Sequence, residues 1–140
     1  MTQPARPQSF QTRVYYDDTD AGGVVYHANY LKFAERARTE ALRSAGISQQ
    51  ELLAAQKIAF AVRTCHVEFF KPARLDDLLT IESHLDDIGT ASLDISQTIK
   101  RDNDILVTLS IRLAVVGDGI KPARMPAEIK DAINRIFNNH

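Results

Sequence analysis

The chain has a single cysteine, Cys65. No internal disulfide can staple the fold, and a reducing compartment fits. It also lacks an excess of either charge: 17 Lys and Arg face 18 Asp and Glu. A general nucleic-acid binder carries a large basic surplus, so that class is excluded. An anionic ligand would have to rely on a few local basic groups. No apolar run approaches the length of a membrane span. The first ten residues hold no apolar h-region, so no signal peptide is expected, and the cytoplasm is the expected location. With Pro4 and Pro7 among polar residues, 1–10 reads as a flexible tail ahead of a single domain over 11–140. There is no internal repeat, no low-complexity tract and no linker long enough to divide the chain.

What is present suits a globular domain. Of 140 residues, 44% are hydrophobic and 25% charged, enough to bury a core without staples. Val14, Tyr15 and Tyr16 predict a strand over 11–16. The acids and glycines of 17–23 break it into a loop. Tyr26, Tyr30, Phe33, Ala34, Ala37, Ala41 and Ala45 then recur at steps of three or four, which predicts a helix over 26–45. Its small-residue face allows close approach to a sheet, Arg36 and Glu40 are spaced to pair, and Gly46 is placed to end it. Ser48 and Glu51 form a capping-box pattern, so a short helix is expected to about Gln56.

The second half changes period. Residues 58–70 are rich in Phe and Val, and Pro72 ends that run. Apolar residues alternate at Leu79, Ile81 and Leu85, at Leu93, Ile95 and Ile99, and from Ile105 to Val115. These are strands with one apolar face, separated by turns at 86–89 and at Asp102-Asn103-Asp104. Pro126 opens a final helix with Ile129, Ile133 and Ile136 on one side. Short connections imply antiparallel pairing. The expected class is α+β, a curved antiparallel sheet wrapped around the long helix. One helix cannot cover a broad sheet and its edges, so a dimer is expected.

Chemistry is concentrated in Asp18-Thr19-Asp20-Ala21-Gly22-Gly23-Val24-Val25-Tyr26-His27-Ala28-Asn29-Tyr30. This is an acidic turn, two glycines and a helix start. A helix N-terminus offers unpaired N–H groups and partial positive charge, and glycines let backbone approach a ligand. Acyl transfer needs both a base or nucleophile beside a carbonyl carbon and donors for its developing oxyanion.

That run resembles the signature of the 4-hydroxybenzoyl-CoA thioesterase family, and more closely the branch encoded beside the Tol-Pal envelope system of Gram-negative bacteria. The likeness continues through Phe33, Glu35-Arg36-Ala37-Arg38-Thr39-Glu40 and 67–77, and in weaker form to about Pro126. It implies the hotdog fold and an acyl-CoA thioesterase working as a homodimer or homotetramer with sites at subunit interfaces. It places the catalytic carboxylate on Asp20, an assisting histidine on His27, and carbonyl-polarising backbone N–H groups near Val25 and Tyr26. Gly22 and Gly23 shape the loop. A thiolate leaves readily, so one carboxylate suffices, either attacking the carbonyl or activating water. No metal and no tightly held cofactor are expected, since CoA is part of the substrate.

Other readings stand beside this one. Alone, Asp20 would be a helix cap, and His27 a surface residue of the first turn. Asp17 and Asp18 read as solvated turn residues. Gly22 and Asn29 occupy positions where a calcium loop starting at Asp18 would need an acid or amide and a glutamate. Gly22 also departs from the Asp-x-Asp pattern of haloacid-dehalogenase-type phosphatases. Lys71, Arg74, Lys121 and Arg124 read as surface charges, and Cys65 as a packed strand residue. No serine sits in a Gly-x-Ser-x-Gly elbow. The competing functions are an acyl-carrier-protein thioesterase with the same residues, a non-catalytic hotdog binding module and a hotdog dehydratase. Retention of Asp20 and the thioesterase signature argue against the last two.

Overall fold

The computed structural model describes residues 7–138. Five strands, β1 (Gln8–Arg13), β2 (Ala59–Phe69), β3 (Leu78–Ile88), β4 (Ser92–Arg101) and β5 (Asp104–Val116), form one antiparallel sheet in the order β1-β3-β4-β5-β2. Helix α1 (His27–Ser44) lies across its inner face, α2 (Gln49–Gln56) follows, and α3 (Ala127–Asn138) closes the chain. This is the sheet-around-helix architecture expected from the periodicities.

The helix face is the predicted one. Tyr30, Phe33, Ala34, Ala37, Ala41 and Leu42 are buried against the inward residues of the strands, among them Leu79, Ile81, Leu93, Ile99, Leu109 and Val115. Three alanines in that contact let the helix axis sit close to the sheet. Gly46 ends α1 with a φ of +82°, which glycine adopts without a Cβ penalty. Its N–H donates to the Arg43 carbonyl and that of Ile47 to Leu42, both at 3.0 Å, the Schellman arrangement. Ser48 caps α2 by accepting the Glu51 N–H at 3.3 Å. Under α1 the buried Gln97 amide donates to the Ala34 carbonyl and the Ser83 hydroxyl, each at 2.9 Å, and accepts from Arg38 at 3.0 Å.

Several expectations shift. Strand β1 begins at Gln8 rather than after residue 10, and it stops before Tyr15. It pairs with β3 from Gln8 opposite Ser83 to Arg13 opposite Leu78, and Phe10 packs on the core. The tail expected over 1–10 therefore loses its last residues to the sheet, and 1–6 lie outside the described residues. Strand β3 runs through to Ile88 with an irregularity between Leu85 and Asp87, which absorbs the acids expected to form a turn. Glu40 pairs with Arg43 at 2.6 Å instead of with Arg36.

Strand β2 departs furthest from its sequence pattern. It is an outer strand bonded to β5 alone, with no pairing to the strand that follows it. Most of its length is exposed. Cys65, expected to be packed, is exposed on this outer strand.

Candidate active site

The loop between β1 and α1 folds back on itself. Thr19 and Val25 form an isolated antiparallel bridge, the Asp20 N–H donates to Val24 O at 2.9 Å, and the Gly23 N–H returns to Asp20 O at 3.1 Å. Asp20 thus opens a tight turn over Ala21 and Gly22. Gly23 takes a φ of +78°, where any side chain would strain the backbone. A Cβ on Gly22 would stand 3.3 Å from Asp20 Oδ1. The glycines therefore permit both the turn and the placement of the carboxylate.

The Asp20 side chain is exposed. Oδ1 accepts the Gly22 N–H at 2.8 Å. Oδ2 has no bond to any described residue, so one oxygen is anchored and the other faces outward.

The amides beyond the turn divide into used and unused. Val25 N–H donates to Ala73 O at 2.9 Å and Tyr26 N–H to Asp18 O at 3.1 Å. Both were expected to polarise a carbonyl, and both are already spent inside the protein. The N–H groups without a backbone or side-chain acceptor among the described residues are the next two, on His27 and Ala28 at the first turn of α1. Tyr26, the N-cap residue, provides no side-chain cap, so these two amides remain open at the positive helix end.

A cleft of about 210 Å³ opens beside these amides, lined by Val24, Val25, His27, Tyr30 and the segment Phe69–Pro72. The His27 and Phe69 rings face each other with centroids 5.0 Å apart, and Phe69 also meets Tyr30 at 5.7 Å. No hydrogen bond or ion pair joins His27 to Asp20 among the described residues. Asp20 is not among the residues that line the cleft. A larger concavity, about 390 Å³, lies around Thr64, His66, Asp94 and Arg112. Its lining includes Cys65 but none of the residues of the 18–30 signature.

Behind the cleft, the loop before β3 is clamped. The Tyr30 hydroxyl accepts the Ala73 N–H at 2.9 Å, and burial of that phenol pushes its pKa up, against the pull of the Ala73 bond and Arg101. Desolvation pushes the Asp77 carboxyl up, but Arg101 and the Arg74 N–H, each at 2.8 Å, outweigh it and hold the carboxyl below its ordinary value. Arg101 also donates to Pro72 O at 3.2 Å. The segment that takes the Val25 N–H is thereby fixed to the core.

Sequence reasoning missed Phe69, which looks like any strand phenylalanine, and Asp18, which read as a solvated turn acid. Lys71 pairs with Asp104 at 3.4 Å, in keeping with a surface charge. Among the described residues no cluster of His, Cys, Asp or Glu converges to hold a metal ion.

Comparison with known proteins matches residues 22–108 to the thioesterase superfamily. The acyl-CoA thioesterase YbgC of Haemophilus influenzae is 44% identical over 129 residues, covering 91% of this chain and 95% of the relative. The acyl-CoA thioester hydrolase YbgC of Escherichia coli O6:H1 is 47% identical over 119 residues, covering 84% and 88%. The crystal structure of a probable thioesterase from Bartonella henselae superposes with a TM-score of 0.83 at 39% identity, covering 86% of this chain and 99% of that one.

Proposed function

Because this chain belongs to the thioesterase superfamily, we propose that it hydrolyses acyl-CoA thioesters to the free acid and CoA, with Asp20 as its essential carboxylate. The observation that carries the reading is a half-free carboxylate and two unspent helix amides brought into one loop–helix junction. The thioester carbonyl lies by the cleft with its oxygen on the N–H groups of His27 and Ala28. Charge growing on that oxygen is met by fixed donors and the positive end of α1. The outward oxygen of Asp20 attacks the carbonyl carbon or takes a proton from an attacking water. Collapse of the tetrahedral species expels the thiolate, which needs little acid assistance. Where water attacked, the free acid is formed directly; where Asp20 attacked, the resulting acyl–Asp20 anhydride is cleaved by water to free acid and the restored carboxylate. The His27 imidazole borders the cleft and is the proposed assisting side chain. Carboxylate, amides and water suffice for these steps.

Acyl carrier protein could present the same thioester to the same groups. The names of the two YbgC relatives favour CoA. Thiol release measured on CoA thioesters from acetyl to palmitoyl and hydroxybenzoyl, and on the same acyl groups carried by acyl carrier protein, separates the two. Turnover of CoA thioesters is expected; turnover confined to the carrier protein would overturn the CoA assignment.

We propose further that the working form contains a dimer. The free edge of β2 presents unpaired backbone groups, and an unguarded edge strand is a template for another strand. Val62, Phe69 and Phe70 are 53%, 49% and 57% exposed on or beside that edge. A second copy paired edge to edge would cover them through a symmetric interface. Light scattering is expected to give at least twice the chain mass, and a monomer at micromolar concentration would contradict this. No helix of the described residues is long and apolar enough to cross a membrane. The cytoplasm is the proposed location.

A further inference from the structure

Asp20 and the His27 and Ala28 amides must hold a fixed spacing if both are to act on one carbonyl. Yet the backbone between them is an exposed turn with two glycines, and of its two isolated bridges, Thr19–Val25 and Val24–Arg74, neither holds the Asp20 turn to the first turn of α1. Exposed loop hydrogen bonds open easily. We propose that Asp18 and Asn29 form a positioning pair that holds the Asp20 turn in register with the start of α1. This inference rests on the function proposed above.

Every hydrogen-bonding group of Asp18 is engaged within the loop or with α1. Its N–H donates to Tyr15 O at 3.0 Å and its carbonyl accepts the Tyr26 N–H at 3.1 Å. Oδ2 accepts the Tyr15 N–H at 2.8 Å. Oδ1 accepts from Asn29 Nδ2 at 3.0 Å. The residue thereby gathers the entry to the loop, its exit and the first turn of α1 around one carboxylate. Negative charge at this end of a helix is favourable in itself.

Asn29 is suited to receive that grip. It stands in the first turn of α1 and is 9% exposed, in a set of buried polar side chains otherwise made up, among the described residues, of Ser83 and Gln97. Those two bond to each other deep in the core. Asn29 instead points its amide at the catalytic loop, while its own N–H donates to Tyr26 O at 2.9 Å. A side chain serving the core alone would not reach outward to an acid two residues before Asp20. Asp18 and Asn29 touch no reacting atom in this scheme; they act through Asp20 and the helix amides.

The pair can be exchanged, which gives a test that separates positioning from general stability. In Asp18→Ala both carboxylate acceptors are lost, and neither Tyr15 N–H nor the Asn29 amide keeps its partner. In Asn29→Asp two carboxylates face each other. In the double variant Asp18→Asn/Asn29→Asp, the new amide accepts from Tyr15 N–H and donates to the new carboxylate, so both bonds return with roles reversed. The readouts are kcat and KM for an acyl-CoA, measured well below each variant's Tm. Each single variant is expected to lose roughly ten- to hundredfold in kcat, the scale of a small misplacement of reacting groups, with KM near wild type. The double variant should recover most of the loss. Wild-type kcat in both singles, or no recovery in the exchange, would overturn the proposal. If a single variant fails to fold, the exchange alone decides, since it must fold and turn over. Asp20→Asn in the same assay tells the two readings apart. Turnover by Asp20→Asn would sink the functional assignment. An inactive Asp20→Asn beside fully active Asp18→Ala and Asn29→Asp would sink only the positioning pair.

Discussion

Asp20→Asn is expected to lower acyl-CoA turnover by about three orders of magnitude, the middle of the range for losing a positioned acid–base group. Stability should change by no more than about 0.5 kcal/mol, as for other exposed substitutions. The structure explains why the two effects separate. The fold asks Asp20 for one thing, an acceptor for the Gly22 N–H at 2.8 Å, and an amide oxygen supplies that equally well. The unbonded oxygen is the one whose chemistry disappears, because an amide nitrogen in its place neither attacks a carbonyl nor accepts a proton from water. The rate of thiol release and a urea titration on the same preparation check both halves. A large loss of stability would make Asp20 a structural residue first.

The largest stability effect belongs to Phe33→Ala. Phe33 is completely buried in the middle of α1 and meets the Tyr30 ring edge-on at 6.3 Å and 83°. Truncating a phenylalanine at such a site loses its transfer energy and leaves a cavity, together about 3–5 kcal/mol. That is a large part of the roughly 5–15 kcal/mol available to a domain. Alanine keeps the helix propensity, so the cost is one of packing. The urea midpoint should fall with an unchanged m-value. A change of less than about 1 kcal/mol would mean that the neighbouring side chains close the gap, contrary to the packing described.

Elements that bury one face declared themselves in the residue pattern. Tyr30, Phe33, Ala34, Ala37 and Ala41 lie where the helical period puts them, and the odd residues from Leu109 to Val115 face the core. Strand β1 differs from the expected bounds because its half-buried face carries the polar Gln8 and Thr12 beside Phe10, which masks an alternation that its pairing with β3 reveals. Strand β2 misled in the opposite direction. Its Phe and Val content suggests a packed Cys65, whereas its exposure at the edge follows from which strands pair, a property of the whole sheet. Loop chemistry was legible as a motif and illegible as geometry. The signature located Asp20, but the acceptors that consume the Val25 and Tyr26 amides come from Ala73 and Asp18. The Ala73 acceptor lies far along the chain. For the same reason Asp18 looked like a solvated acid until its bond to Asn29 was visible.

The most direct test is the balance sheet of one reaction: purified wild-type protein and Asp20→Asn, each incubated with the acyl-CoA that wild type turns over fastest, with free thiol and free acid counted together. Wild type is predicted to release one thiol and one acid per thioester consumed, and Asp20→Asn almost none of either while remaining folded. Equal release by both proteins, or none from any acyl-CoA or acyl carrier protein substrate by a folded wild type, would contradict the account.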